Sequence, residues 1–254
     1  MATERQIKIL QLLSRHDYLE VTKLSELLEV SPSTIRRELM TMENSGLLVR
    51  ARGMARLSSP IRYESPFEER AASQVEAKRT IAATAKRLVR RGQVVGLSGG
   101  TTSTELARQL RVIEDVTVVT NAMNVALELQ AGIGKRVMVT GGILNQDSYD
   151  LVGDQAVQSL QSVHLNLAFQ GVSGIDLDFG FTVADEPDAV VARALKAASD
   201  QIIIIADHTK INKATFARFC RLAEVDMLIT DDGITDRQRA ELEQAGLKVL
   251  VAED

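Results

Sequence analysis

Apolar positions along this chain follow two periods, and the change from one to the other divides it. Up to Asn44 they recur at steps of three and four; beyond Val94 they form short aliphatic runs separated by stretches of helical spacing. In the first stretch, Thr3 with Gln6 makes a capping box for a helix running to about Arg15, with Ile7, Ile9, Leu10 and Leu13 on its apolar face. Leu19 and Val21 read as a short link. Thr22 to Leu28 is a second short helix with Leu24, Leu27 and Leu28 inward. Glu29-Val30 turns the chain, and Ser31 and Pro32 open a third helix, as N-cap and first helical residue. Ile35, Leu39 and Met42 form its buried stripe, and Gly46 is expected to cap its end. From Leu47 to Leu57 the alternation around Arg52-Gly53 predicts a β-hairpin.

Ser58 to Phe67 holds two of the chain's four prolines and breaks the periodicity, so a linker is expected over residues 58–74. Phe67 to Arg90 returns to helical spacing, with Ile81, Ala85, Leu88 and Val89 inward. Strands are expected at Val94–Leu97, Val116–Thr120, Val137–Thr140, Leu165–Phe169, Ile202–Ala206, Met227–Ile229 and Val249–Val251. Helices fall between them at 102–110, 122–130, 154–161, 186–199 and 235–245. This alternation predicts a mainly parallel, doubly wound sheet. The expected organisation is therefore a DNA-binding module over 1–57, a linker over 58–74 and an α/β effector and oligomerisation domain over 75–254.

Composition narrows the class. The 254 residues include one cysteine, Cys220, so no internal disulfide is possible and a reducing compartment is expected. No N-terminal segment reads as a signal peptide. The longest aliphatic run, Ile202 to Ala206, is far short of a membrane span, so a cytoplasmic protein is expected. A net charge of −4 argues against nucleic acid only if it is evenly spread. Between Ser31 and Arg56 five arginines (Arg36, Arg37, Arg50, Arg52, Arg56) face two glutamates, a local positive excess.

The third helix turns Ser33, Thr34, Arg36 and Arg37 outward. Small hydroxyls and arginine forks at the N-terminal end of an exposed helix match base edges and phosphates in a DNA major groove. Taken alone, these residues would pass for a solvated helix face. With the preceding helix and the hairpin they form a winged helix-turn-helix. Thr22, Lys23, Ser31 and Pro32, and Arg50 and Arg52 of the wing, complete the expected DNA contacts. The ordered set Arg5, Leu24, Val30-Ser31, Thr34-Ile35-Arg36-Arg37-Glu38-Leu39, Gly46-Leu47, Arg50 and Gly53 resembles the DeoR family of bacterial transcriptional repressors. Two positions depart from its pattern: Glu38 stands for an aspartate, and Met54 for the second wing glycine.

In an open α/β sheet, ligands bind beyond the carboxyl ends of the strands. Ser98-Gly99-Gly100-Thr101-Thr102-Ser103-Thr104 follows the first strand, Thr120-Asn121 the second and Thr140-Gly141-Gly142 the third. Gly171 to Asp176 follows the fourth, and Asp207-His208-Thr209-Lys210 the fifth. Glycine amides, hydroxyls and a helix N-terminus suit an anion, and Lys210 is a mobile point charge for a phosphate. The spacing is neither a dinucleotide fingerprint nor a Walker A loop, so neither NAD nor ATP is implied, and no metal-site spacing is present. No cofactor is expected. This half resembles the DeoR effector domain over 75–231. The resemblance implies a fold shared with ribose-5-phosphate isomerase and glucosamine-6-phosphate deaminase, and a sugar-phosphate effector. Ser98 replaces the family's aspartate; Asp150 and Gly153 lie where the family keeps a polar loop near the ligand.

The enzyme alternative is a sugar-phosphate isomerase or deaminase with an accessory DNA-binding arm. Isomerisation needs a carboxylate base and a second acid or base. Asp176 and Asp207 are available, His208 reads as a solvated loop residue, and His16 and His164 lie elsewhere. The reading favoured by the sequence is a homo-oligomeric repressor of a carbohydrate operon. Its partners are operator DNA, a phosphorylated sugar and its own copies, with no membrane.

Overall fold

The computed structural model describes residues 4–14, 18–44, 48–51, 53–57, 67–132, 134 and 136–253. The chain divides into two compact units, Met1–Ser65 and Pro66–Asp254.

In the first unit the order is α1 (Glu4–Ser14), β1 (Leu19–Glu20), α2 (Val21–Leu28), α3 (Pro32–Asn44), β2 (Leu48–Ala51) and β3 (Met54–Leu57). The stretch expected to be a link is instead a strand: Leu19 and Glu20 pair antiparallel with Ala55 and Met54, giving a sheet ordered β1-β3-β2. Ile9, Leu13, Val21, Leu24, Ile35, Leu39, Met42 and Leu48 close one small core. Leu27, expected inside, is 48% exposed. The stripe on α2 runs through Val21, Leu24 and Leu28, and at 100° per residue Leu27 falls off its edge. The hairpin turns at Gly53 with φ +81°, a conformation that favours glycine. Thr3, Arg15, Gly46 and Arg52 lie outside the described residues.

The second unit opens with α4 (Phe67–Ala72) and α5 (Val75–Lys86). The helical spacing read from Phe67 thus covers two helices, because Gln74 takes a left-handed φ of +49° between them. α4 falls within the stretch expected as linker, whose residues 58–66 lie outside the described residues. There follow β4 (Val94–Leu97), α6 (Thr101–Leu110), β5 (Thr117–Thr120), α7 (Met123–Gln130), β6 (Arg136–Val139), β7 (Ile143–Leu144), β8 (Leu151–Val152), α8 (Asp154–Gln161), β9 (Leu167–Gln170), β10 (Gly174–Asp176), β11 (Gly180–Val183), α9 (Glu186–Ala197), β12 (Ile202–Ile205), a 3-10 turn at His208–Lys210, β13 (Ala217–Cys220), a second 3-10 turn at Leu222–Glu224, β14 (Met227–Thr230), α10 (Asp236–Gln244) and β15 (Val249–Val251).

Seven strands form a parallel sheet ordered β15-β14-β12-β9-β4-β5-β6. All seven were expected, with ends shifted by a residue or two. Both faces are covered, and strand residues alternate between two cores. Val95, Leu97, Ile203, Ile205 and Ile229 pack with α5, α6 and α7. Ala168, Ile202, Ile204 and Leu228 pack with α8 and α9. Gly96 is small because a Cβ there would lie 2.8 Å from Leu165 and 2.9 Å from Leu195. Two further sheets were not expected: the antiparallel set β10-β11-β13 and the hairpin β7-β8. No helix among the described residues is long and apolar enough to cross a membrane.

Cys220, on β13, is 3% exposed, and burial pushes its thiol up to about 12. In the native protein at pH 8 it is expected to stay unlabelled by a chromogenic disulfide reagent and to react fully in guanidinium. Stoichiometric labelling without denaturant would contradict that placement.

Candidate functional site

Two sets of residues stand out, one in each unit. In the first, Ser31 caps α3 as its hydroxyl predicts: Thr34 N–H donates to Ser31 Oγ at 3.3 Å. The same hydroxyl lies 2.9 Å from those of Ser33 and Thr34. The buried stripe of Ile35, Leu39 and Met42 fixes the rotation of the helix, so Pro32, Ser33, Arg36 and Arg37 are exposed. Among the described residues neither Arg36 nor Arg37 makes an ion pair or hydrogen bond through its guanidinium. The acids nearby are occupied: Glu38 pairs with Arg5 at 3.4 Å and Glu43 with Arg50 at 2.7 Å.

Arg50 therefore differs from the expectation of a free wing contact. Its backbone N–H and its guanidinium both bond Glu43, whose carboxyl this holds below the usual range, and the pair ties β2 to α3. Thr22 and Lys23 are exposed; Thr22 bonds Glu20, at the end of β1, and Lys23 bonds Glu26 on α2.

In the second unit, strand order creates the site. The chain leaves β4 toward β5 and β6, then returns to β9 on the other side of β4 and continues outward to β15. The reversal lies between β4 and β9, where open α/β sheets form their binding crevice. Ser98-Gly99 and Gln170-Gly171 meet there. Ser98 N–H donates to the Phe169 carbonyl at 3.0 Å, and Gly171 N–H to Ser98 Oγ at 2.9 Å. Ser98 thus joins the two strand ends.

The adjoining helix begins at this crevice. Gly100 is the N-cap of α6 with φ +105°, and no side chain caps the helix. The N–H groups of Thr101, Thr102 and Ser103 have no acceptor within the helix by position. Ser103 Oγ is fully buried and Gln170 Oε1 nearly so, and neither has a partner among the described residues. Thr104 is held by two internal bonds. Its hydroxyl donates to the Gly100 carbonyl at 2.9 Å and accepts from Asn124 at 2.9 Å, which fixes the loop.

Asp150 moves from a peripheral expectation to the centre. A Cβ on Gly99 would lie 1.6 Å from Asp150 Oδ1, so the carboxylate rests directly against the loop backbone. Thr120 and Asn121 help to position it. Leu151 N–H donates to the Asn121 carbonyl at 2.6 Å, and Thr120 Oγ1 accepts from Ala122 N–H. Gly142 passes so close to β8 that a Cβ would meet the Val152 carbonyl at 2.6 Å, and Gly141 packs on Gln155. These glycines bring the β7-β8 hairpin, and Asp150 with it, to the rim.

Asp176 lies on another strand end. It ends β10, and its Oδ1 accepts from the N–H groups of Asp178 and Phe179, shaping the turn into β11. Lys210 stands half-buried in the 3-10 turn after β12, and Asp207 caps that turn through Thr209 N–H at 3.0 Å.

Two partners were missed from the sequence. His208 is not a solvated loop residue: Nδ1 lies 2.6 Å from Asp231 Oδ2, and its N–H donates to Asp231 Oδ1 at 2.7 Å. Burial raises the Asp231 carboxyl, but the bonds from His208 outweigh it and hold the group below its ordinary value. Gly233 leaves room for the ring, since a Cβ would fall 2.2 Å from Nδ1. The second is Lys78, 4% exposed on α5. Burial pulls its ammonium down, with the Asp207 charge opposing that and the Lys210 charge adding to it. The signal was present: Lys78 falls on the stripe of Ile81, Ala82 and Ala85, a cation at a core position.

Residues 73–232 match the DeoR C terminal sensor domain and residues 5–60 the DeoR-like helix-turn-helix domain. An Escherichia coli O157:H7 protein named as an aga operon transcriptional repressor is 36% identical over 98% of this chain and 93% of its own. The transcriptional repressor GlcR of Bacillus subtilis is 32% identical over 98% of this chain and 96% of its own. Ribose 5-phosphate isomerase A of Methanocaldococcus jannaschii aligns over 55% of both chains at a TM-score of 0.40 and 16% identity, too remote to carry chemistry across.

Proposed function

Because this chain belongs to the DeoR family of transcriptional regulators, we propose that it represses a carbohydrate operon by binding operator DNA through α3 and releases it when a phosphorylated sugar occupies the rim of the parallel sheet. Arg36, Arg37, Ser33 and Thr34 are the DNA-facing groups, and two copies would set their α3 helices in successive major grooves, ~34–36 Å apart. The effector's phosphate is assigned to the open amides of Gly100 to Ser103 with Lys210 as countercharge, and its hydroxyls to Asp150 and Gln170. Thr101 and Thr102 line the same turn.

The observation that carries this reading is the uncapped first turn of α6 at the strand-order reversal, with an unpartnered buried hydroxyl beside it. A ligand there alters operator affinity only by binding one arrangement of the protein better than the other. Catalysis is not part of the reading, since Asp176 is bound into a hairpin turn. Among the described residues two histidines face a carboxylate, His164 with Asp200 on the exposed surface and His208 with Asp231, and the half-buried His208–Asp231 pair is the better suited to proton transfer. Turnover of ribose 5-phosphate or glucosamine 6-phosphate that disappears in Asp231→Asn would restore the enzyme alternative.

Fluorescence anisotropy with the operator, titrated against a panel of sugar phosphates, tests the proposal. Lys210→Ala is expected to bind operator as the parent does and to lose its response to the active sugar phosphate. Lost operator binding in a folded Lys210→Ala protein would contradict this division of roles.

A further inference from the structure

The short helix α4 is the first described element after β3, so the chain leaving the DNA-binding unit runs into it. Two side chains hold it, and both lead back to the rim. Lys78 Nζ donates to the carbonyls of Arg70 and Ser73, where α4 ends. α5, which carries this buried ammonium, packs on β12 and β14, and the turn holding Asp207 and Lys210 directly follows β12, so the charges of both act on it. At the other end of α4, Tyr149 Oη donates to Glu68 Oε1 at 2.6 Å, and its ring meets Phe67 edge-on at 5.3 Å.

Tyr149 holds a left-handed φ of +65° and directly precedes Asp150, the residue pressed against Gly99. The dipeptide Tyr149-Asp150 therefore touches the anion loop with one side chain and α4 with the other. We propose that α4 is a strap whose grip is set by the effector rim, with Lys78 and Tyr149 as the positioning residues that report occupancy to the segment leading to the DNA-binding unit. This rests on the effector reading above.

The physical basis is competition. An ammonium has three N–H donors, and two of Lys78's go to α4 carbonyls. A phosphate beside Lys210 adds negative charge that acts on the same buried ammonium and draws it away from those neutral acceptors. A ligand entering at Gly99 displaces the Asp150 carboxylate, and the adjoining Tyr149 shifts with it. Each event loosens one end of α4.

Hydrogen exchange on the full chain tests this, with inorganic phosphate, D-ribose 5-phosphate and D-glucosamine 6-phosphate as probes. In the parent, a probe that slows exchange over 98–104 is expected to speed exchange over 67–73 by about threefold or more. Tyr149→Phe, which removes one hydroxyl, and Lys78→Met are expected to show fast exchange over 67–73 without any probe. In both, the probe should still slow 98–104 but add nothing at α4. Tyr149→Phe keeps the test decisive if Lys78→Met fails to fold. Protection of 98–104 with α4 unchanged in the parent, or changed equally in the variants, would overturn the strap alone. Protection of 98–104 by none of the probes would overturn the effector reading, and the strap with it.

Discussion

Arg37→Ala is expected to weaken operator binding by roughly 5- to 150-fold, the equivalent of about 1–3 kcal/mol for a lost arginine fork on a guanine edge. The position of this side chain follows from local causes. Ser31 fixes where α3 starts, and the Ile35, Leu39 and Met42 stripe fixes its rotation, leaving the Arg37 guanidinium exposed with no acid of its own. The pattern of the loss identifies the contact. If Arg37 reads a base, one operator position becomes tolerant of substitution, and the slope of log affinity against log salt changes little. If it touches phosphate, affinity falls alike on all sequences and the slope drops by about one. Anisotropy at several salt concentrations on operator and scrambled DNA separates these. Unchanged affinity for both DNAs would remove α3 from the interface.

Gly99→Ala carries the second large effect, on the effector unit. The added Cβ would stand 1.6 Å from Oδ1, 2.4 Å from Cγ and 2.5 Å from Oδ2 of Asp150. Asp150 has little room to retreat. Its carbonyl accepts from Asn145 N–H at 2.7 Å, and Leu151 beside it is bonded to Asn121 at 2.6 Å. Either the loop or the carboxylate must shift, a loss of about 1–3 kcal/mol. For a unit of this size that lowers the melting temperature by about 2–4 °C per kcal/mol. The response to sugar phosphate should vanish, since the displaced carboxylate and the altered amides both belong to the proposed site. In Gly99→Ala/Asp150→Ala the clash is gone, so stability is expected to exceed that of Gly99→Ala alone. Calorimetry on the four proteins gives the coupling between the two positions, and additive losses would show that they do not touch.

The DNA-binding unit was legible in the sequence because its determinants lie a few residues apart. Ser31 caps a helix that starts at Pro32, and the stripe on α3 is buried as its spacing requires. The parallel strands were legible for a related reason: buried on both faces, Val94–Leu97 or Ile202–Ile205 must be apolar throughout. The set β10-β11-β13 was not. Its strands are three or four residues long and include Asp176 and Arg218, and β11 finds β13 more than thirty residues away. Of the candidate effector residues, the sequence found the glycines and hydroxyls but not the internal bonds that some of them make. Ser98 and Thr104 are used internally, and Asp176 belongs to a turn.

By itself, the sequence determined the elements: which segments coil, which extend, where α3 begins, and that glycines and threonines follow the strands. Capping and hydrophobic period act within a turn or two, and each leaves its mark on neighbouring residues. Only the tertiary structure decided the strand order that opens the crevice between β4 and β9. It alone placed Asp150 against Gly99, Tyr149 on Glu68, and Lys78 on the carbonyls of Arg70 and Ser73. The first two of those pairings join residues tens of positions apart, and the energy that selects them comes from burying both faces of one sheet at once, which no local window contains.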